Sequence, residues 1–153
     1  MRSKGDVADR IGDGIAAAAV AGTLSGAPST VHALLTRRGL LDSTRAIAGL
    51  VGLAGAPVPV ELTTGVALHG AISLGWSVAA AFTLPRRHTV AVGALAGLAV
   101  GVVDLAIGRR RVPALAALPL APQLVDHAAF GALAGAVIAR RRSLRERVPL
   151  EVA

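Results

Sequence analysis

The sequence predicts an all-α membrane protein, with four transmembrane helices in a compact bundle and short interfacial or re-entrant helices beside them. Hydrophobic residues make up 54% of the 153-residue chain and charged residues only 16%, a balance that soluble domains of this length rarely reach. One apolar run, residues 89–108, contains a single acidic residue, Asp104. A helix of that length rises about 30 Å, which is the hydrocarbon thickness of a bilayer. The 18 glycines support the same fold class, because small residues let helices approach closely in lipid.

The first predicted span covers residues 11–27. Basic residues precede this alanine-rich run, as they do in a signal peptide, but further spans follow, so we expect an uncleaved helix. Pro28 and Ser29 then interrupt the chain before a short helix at residues 30–38.

A second short helix is predicted at residues 43–56, and Pro57 ends it. This segment is too short for a full span, so we expect an interfacial or re-entrant helix. The alternative is a five-span protein in which residues 45–60 cross the membrane. That alternative places the arginine-rich tail outside the cell, so we rank it second.

Three further spans complete the single predicted membrane domain of residues 1–153. The second span covers residues 60–84 and the third covers residues 89–108. Three prolines then break residues 112–123 into a surface or re-entrant segment. The fourth span, residues 124–139, leads into a run of arginines.

Four spans place both termini on the same side of the membrane. Ten basic residues lie on that side and six on the other, so the positive-inside rule predicts cytoplasmic termini and a cell (inner) membrane location. The ten are Arg2, Lys4, Arg10, Arg86, Arg87, Arg140, Arg141, Arg142, Arg145 and Arg147, and the six are Arg37, Arg38, Arg45, Arg109, Arg110 and Arg111.

Acidic and histidine residues of the apolar region fall at one level of this topology, near the non-cytoplasmic ends of the spans. They form the candidate polar site, which comprises His32, Glu61, His69, Asp104, Asp126 and His127. Asp104 follows Gly97 and Gly101 at helical spacing, so we expect its carboxylate to face the bundle. Such groups can relay protons or contact a polar substrate, but a simpler interpretation is that Asp104 pairs with His69 or His127 and fastens the helices.

Glycines at every fourth position predict smooth packing faces on the third and fourth spans. These helix-packing residues are Gly93, Gly97, Gly101, Gly131 and Gly135. GxxxG spacing brings helix backbones together, either inside one chain or between two copies, and we favour internal packing.

No catalytic or cofactor motif stands in the sequence. It lacks an HExxH pair, a Walker loop, a GxSxG nucleophile and a dinucleotide fingerprint, and we expect no metal and no cofactor. It also lacks cysteine, which excludes disulfides and thiolate chemistry. The net charge of +7 comes from basic residues at segment ends, without the interleaved aromatics of a nucleic-acid site, so nucleic acid is not an expected partner.

Three segments carry a family resemblance: SGAPSTVHALLTRR from Ser25, HGAISLGW from His69 and DHAAFGALAGA from Asp126. In these the chain resembles a group of small, uncharacterised four-span membrane proteins of high-GC bacteria, over about residues 21–140. The resemblance implies an integral membrane protein and carries over no catalytic residue.

These observations predict a non-enzymatic integral membrane protein that acts as a structural or accessory subunit. Its expected partners are the lipid bilayer and a membrane protein or further copies of itself. The alternative is a small transporter or ion- or proton-handling protein that uses the polar site. A membrane-embedded enzyme ranks third, because no nucleophile with an activating base can be named.

Overall fold

The computed structural model describes residues 4–147, and helix is the regular secondary structure found there, as the sequence predicts. Four helices are long and three are short. The long ones are α1 (Lys4–Leu24), α4 (Val58–Thr83), α5 (Thr89–Arg111) and α7 (Leu120–Arg147), and the short ones are α2 (Ala27–Thr36), α3 (Asp42–Ala48) and α6 (Pro113–Ala116). Of the basic residues counted above, Arg2 lies outside the described part of the chain.

Prolines and glycines set the ends of these helices. Pro57 precedes α4, and Pro113 occupies the first turn of α6, where its missing N–H is not needed. A turn at Ser25 and Gly26 separates α1 from α2. By length and composition, three segments of residues 4–147 could cross a membrane: Gly5–Thr36, Val58–Thr83 and Thr89–Arg111.

The segment between α3 and α4 is too short and too irregular to cross a membrane as a helix. Helix α3 has 7 residues and continues into a single 3-10 turn at Gly49–Val51. Gly52 and Gly55 then take positive φ angles of 80° and 81°, which only glycine adopts without strain. Residues 45–60 thus form no helix of membrane-spanning length, which counts against the five-span alternative.

Helices α1, α4 and α7 share one core. Helix α1 runs antiparallel to α4, since Gly14 lies against Val78 and Gly22 lies against Ser73. It also runs antiparallel to α7, since Asp13 meets Arg141 near the end of that helix. The buried core consists of small and branched apolar side chains: Ala17, Ala21, Ala81, Leu84, Ala134 and Ile138.

Helix α5 lies outside this core and packs on α7. Among the long helices, α4 and α5 follow each other in sequence but share no extended interface within the described residues, so the spatial order is α5, α7, α1, α4. Much of α5 is apolar and exposed, including Leu95 at 68% and Val103 at 56%. A compact four-helix bundle would cover more of this surface, so α5 is less enclosed than the sequence led us to expect.

Glycines bring the backbones of α5 and α7 into direct contact. Gly93 lies against Gly131, and Gly97 lies against the carbonyl oxygen of His127. A Cβ atom added at Gly135 would lie 2.7 Å from the carbonyl oxygen of Thr89, closer than real Cβ contacts come. The contact therefore depends on the absence of side chains at these positions.

Candidate functional site

Three of the predicted polar residues, together with Ser29, gather where the end of α1, the start of α2 and the start of α7 meet the middle of α4. Asp126 lies at the centre, half-buried near the start of α7. The backbone N–H of Ser29 donates a 3.0 Å hydrogen bond to its Oδ1 atom. His69 and His127 are near enough to this carboxylate to interact with it electrostatically. We call Ser29, His69, Asp126 and His127 the loop-end cluster.

Both imidazoles of this cluster already have backbone partners. His69 Nε2 lies 2.8 Å from the carbonyl oxygen of Gly22, and His127 Nδ1 lies 2.8 Å from that of Gln123. A carbonyl oxygen only accepts, so each of these ring nitrogens carries a hydrogen and donates it. One bond joins α4 to α1 and the other is local to α7, which holds the rings in fixed orientations.

His32 borders a small cavity beside the loop-end cluster. The cavity has a volume of about 20 Å³, and Ser29, Asp42 and Gln123 also line it. A space of this size holds about one water molecule. His32 therefore lies close to the cluster, although no hydrogen bond of its side chain links it to Asp126 within residues 4–147.

Asp104 does not join the cluster, which corrects the sequence-based expectation. Its side chain is exposed, and neither His69 nor His127 pairs with it. The buried row of α5 runs through Gly101 to Leu105, four residues apart, and continues to Gly108. Helices that pack through such rows cross at an angle, so the interface of α5 with α7 follows this row and does not include the face on which Asp104 lies.

Glu61 also belongs to a different site. It is buried at the start of α4, where its Oε2 accepts a 2.5 Å hydrogen bond from Nε of Arg45 and its Oε1 accepts one of 2.8 Å from the N–H of Gly55. The two bonds fasten α3 and the following loop to α4. The sequence correctly places Glu61 at the start of this helix, but the hydrogen-bond partners of its carboxylate are Arg45 and Gly55.

The opposite end of the molecule holds a buried ion-pair cluster that sequence reasoning missed. Asp13 is fully buried and accepts hydrogen bonds from Arg141 at 2.8 Å and from two nitrogens of Arg145, one of them at 2.7 Å. The bond to Asp13 raises the pKa of the Arg145 guanidinium. We call Asp13, Arg141 and Arg145 the terminal-end cluster.

A signal for the terminal-end cluster did exist in the sequence. Asp13 lies two residues into the first predicted span, and the arginines follow the fourth span immediately. Four alternating spans bring these two ends to the same side. Taken singly, however, Asp13 has the pattern of a helix-dipole acid and the arginines have the pattern of membrane anchors, so neither indicates the other as its partner.

The chain matches no protein-family model, no curated protein and no solved structure. Within residues 4–147, no three histidine, aspartate or glutamate side chains are grouped so that they could hold a metal ion. The contacts seen at these sites are hydrogen bonds and ion pairs, several of which join different helices.

Proposed function

We propose that this chain is a non-enzymatic integral membrane protein that crosses the bilayer four times and acts as a structural or accessory subunit. One observation supports this most directly: the two buried carboxylates of the described residues, Asp13 and Glu61, already have partners inside the chain. Asp13 is held by two arginines, and Glu61 by Arg45 and the backbone of Gly55. Groups engaged in this way fasten helices and have little capacity left for a substrate.

The fourth crossing, by α7, is supported by its packing against α5. Contacts between the two helices extend from Thr89 beside Gly135 to Gly101 beside His127. Along α5 this distance corresponds to a rise of roughly 18 Å. If α5 crosses the membrane, a partner that lies against it over that length is at the same depth. The glycine rows then act as a packing motif inside one chain.

Cytoplasmic termini are supported by the distribution of arginines. The end of the molecule that holds the terminal-end cluster also carries Arg10, Arg86, Arg87, Arg140 and Arg147, and basic residues are retained on the cytoplasmic side. In this topology, the exposed apolar faces of α4 and α5 contact lipid or a partner helix.

Proton handling is the second candidate function, and the loop-end cluster favours it. The Asp126 carboxylate is near enough to two imidazoles to interact electrostatically with both, and such groups can pass protons when water reaches them. The adjoining cavity of about 20 Å³ has room for one water, which favours the structural role over a continuous path.

The two functions are separated by testing Asp126→Asn and His69→Gln in liposomes that contain a pH-sensitive dye. The structural role predicts lower thermal stability in detergent and proton leak equal to that of protein-free liposomes for every variant. Asp104→Asn is the matched control, because its exposed carboxylate has no role in the cluster. Proton flux in the wild-type protein that a folded Asp126→Asn variant loses would reject the structural role.

A further inference from the structure

A cavity of about 220 Å³ opens at the end of the molecule that carries the terminal-end cluster. Four arginines line it: Arg10, Arg86, Arg142 and Arg145. The remaining lining consists of three carboxylates, those of Asp6, Asp9 and Glu146. The cavity lies between the start of α1, the loop after α4 and the end of α7.

Each carboxylate of the cavity already faces an arginine. Asp6 lies 3.3 Å from Nε of Arg10, and Asp9 lies 3.8 Å from Nε of Arg145. Glu146 is paired with Arg86 in an exposed salt bridge. The fourth arginine, Arg142, has no carboxylate among its hydrogen-bond partners in the described part of the chain.

Arg142 is half-buried, and its hydrogen bonds to other described residues go to backbone carbonyls. Its Nη1 lies 3.1 Å from the oxygen of Leu84, and its Nη2 lies 2.9 Å from the oxygen of Ala81. These carbonyls end α4, where their partial negative charge stabilises a cation but does not neutralise it. Burial, and after it the neighbouring charge of Arg10, lowers the pKa of Arg142. Asp13 attracts the Arg142 charge from a greater distance, but no hydrogen bond or salt bridge joins Arg142 to a carboxylate in the described part of the chain. Arg142 therefore brings to the cavity a half-buried positive charge that no carboxylate contacts directly.

We propose that this cavity binds the phosphate of an anionic phospholipid headgroup, with Arg142 as the principal contact and Arg10 and Arg86 beside it. Guanidinium groups match phosphate oxygens in geometry and charge. Basic pockets between helices at the cytoplasmic surface are suited to such headgroups. The inference rests on the proposed membrane topology, which places this end of the helices at the level of the headgroups.

The test measures lipid retention by native mass spectrometry and thermal stabilisation of the purified full chain. The probes are phosphatidylglycerol, phosphatidylcholine and inorganic phosphate. Phosphatidylglycerol should be retained and should raise the melting temperature, and phosphatidylcholine should do neither. Arg142→Gln should weaken phosphatidylglycerol binding about tenfold or more, because it removes a charged hydrogen bond. Arg87→Gln loses the same charge outside the cavity and should bind as the wild type does.

A second variant keeps the test informative if Arg142→Gln folds poorly. Glu146 is 59% exposed, and Glu146→Gln should tighten phosphatidylglycerol binding because it releases Arg86. Equal weakening by Arg142→Gln and Arg87→Gln would overturn the proposal, since only general surface charge would then act. Equal stabilisation by inorganic phosphate would overturn the lipid assignment. Resistance of the protein to carbonate extraction from membranes reports separately on the proposed function.

Discussion

Removing the carboxylate charge of Asp13 should destabilise the protein more than removing any exposed acid. Asp13 is fully buried, and its two arginine partners come from the far end of the chain. Removing one member of a buried ion pair typically costs 3–5 kcal/mol, because the other charge is left without a partner. Here Arg141 and Arg145 are 44% and 36% exposed and can regain water, so we expect about 3 kcal/mol for Asp13→Asn.

The assay is reversible unfolding in mixed micelles, followed by helical circular dichroism as the fraction of denaturing detergent rises. Asp9→Asn is the matched control, because Asp9 is 55% exposed and lies 3.8 Å from the same Arg145. An exposed pair of this kind contributes at most about 1 kcal/mol. A double-mutant cycle with Arg145→Gln should give a coupling energy that the control pair lacks. If Asp13→Asn unfolds at the same point as Asp9→Asn, the terminal-end cluster does not hold α1 to α7.

Three further predictions concern packing and single contacts. Gly97→Ala should lower the free energy of unfolding by about 1–3 kcal/mol, because the added Cβ would overlap the His127 carbonyl. The control is Gly75→Ala, whose Cβ would meet nothing within 4 Å and which should be neutral or slightly stabilising. Equal effects of the two would show that α5 and α7 do not pack through their glycines. Ser77→Ala should raise stability by about 1 kcal/mol, since the buried Ser77 hydroxyl lacks a partner in the described residues, and a loss instead would indicate a bound water. Glu61→Gln should release α3 and make residues 49–57 more susceptible to protease, whereas the control Asp42→Asn should be cleaved as the wild type is. An unchanged cleavage pattern for Glu61→Gln would contradict this role of Glu61.

Local patterns in the sequence predicted the long helices, but not all of the shorter ones: the helix expected at residues 43–56 ends at Ala48, and α6 lies in the segment expected to be broken by prolines. The all-helical class is confirmed, and the helix ends follow from residues that can be read directly, such as Pro57 before α4 and the turn before Thr89. Glycines four apart indicate which faces of α5 and α7 can approach closely, and this depends only on helix geometry.

The partners of the polar side chains could not be predicted in the same way. Asp104 and Leu105 are neighbours on α5, and only the crossing of α5 over α7 decides that Leu105 is buried and Asp104 is not. Glu61 pairs with Arg45 because α3 folds back on α4, which required knowing that Gly52 and Gly55 reverse the chain. Long-range pairs such as Asp13 with Arg145 depend on the order of the helices in space.

The most direct test of the central claim asks whether α7 crosses the membrane. The chain has no cysteine, so single cysteines introduced at Arg87, Arg147 and Arg111 can be labelled from either side of intact cells with a membrane-impermeant maleimide. Four crossings predict that the maleimide labels Arg87→Cys and Arg147→Cys only after the cells are lysed, and that it labels Arg111→Cys in intact cells. Labelling of Arg147→Cys and Arg111→Cys from the same side would show that α7 does not cross, and would contradict the account.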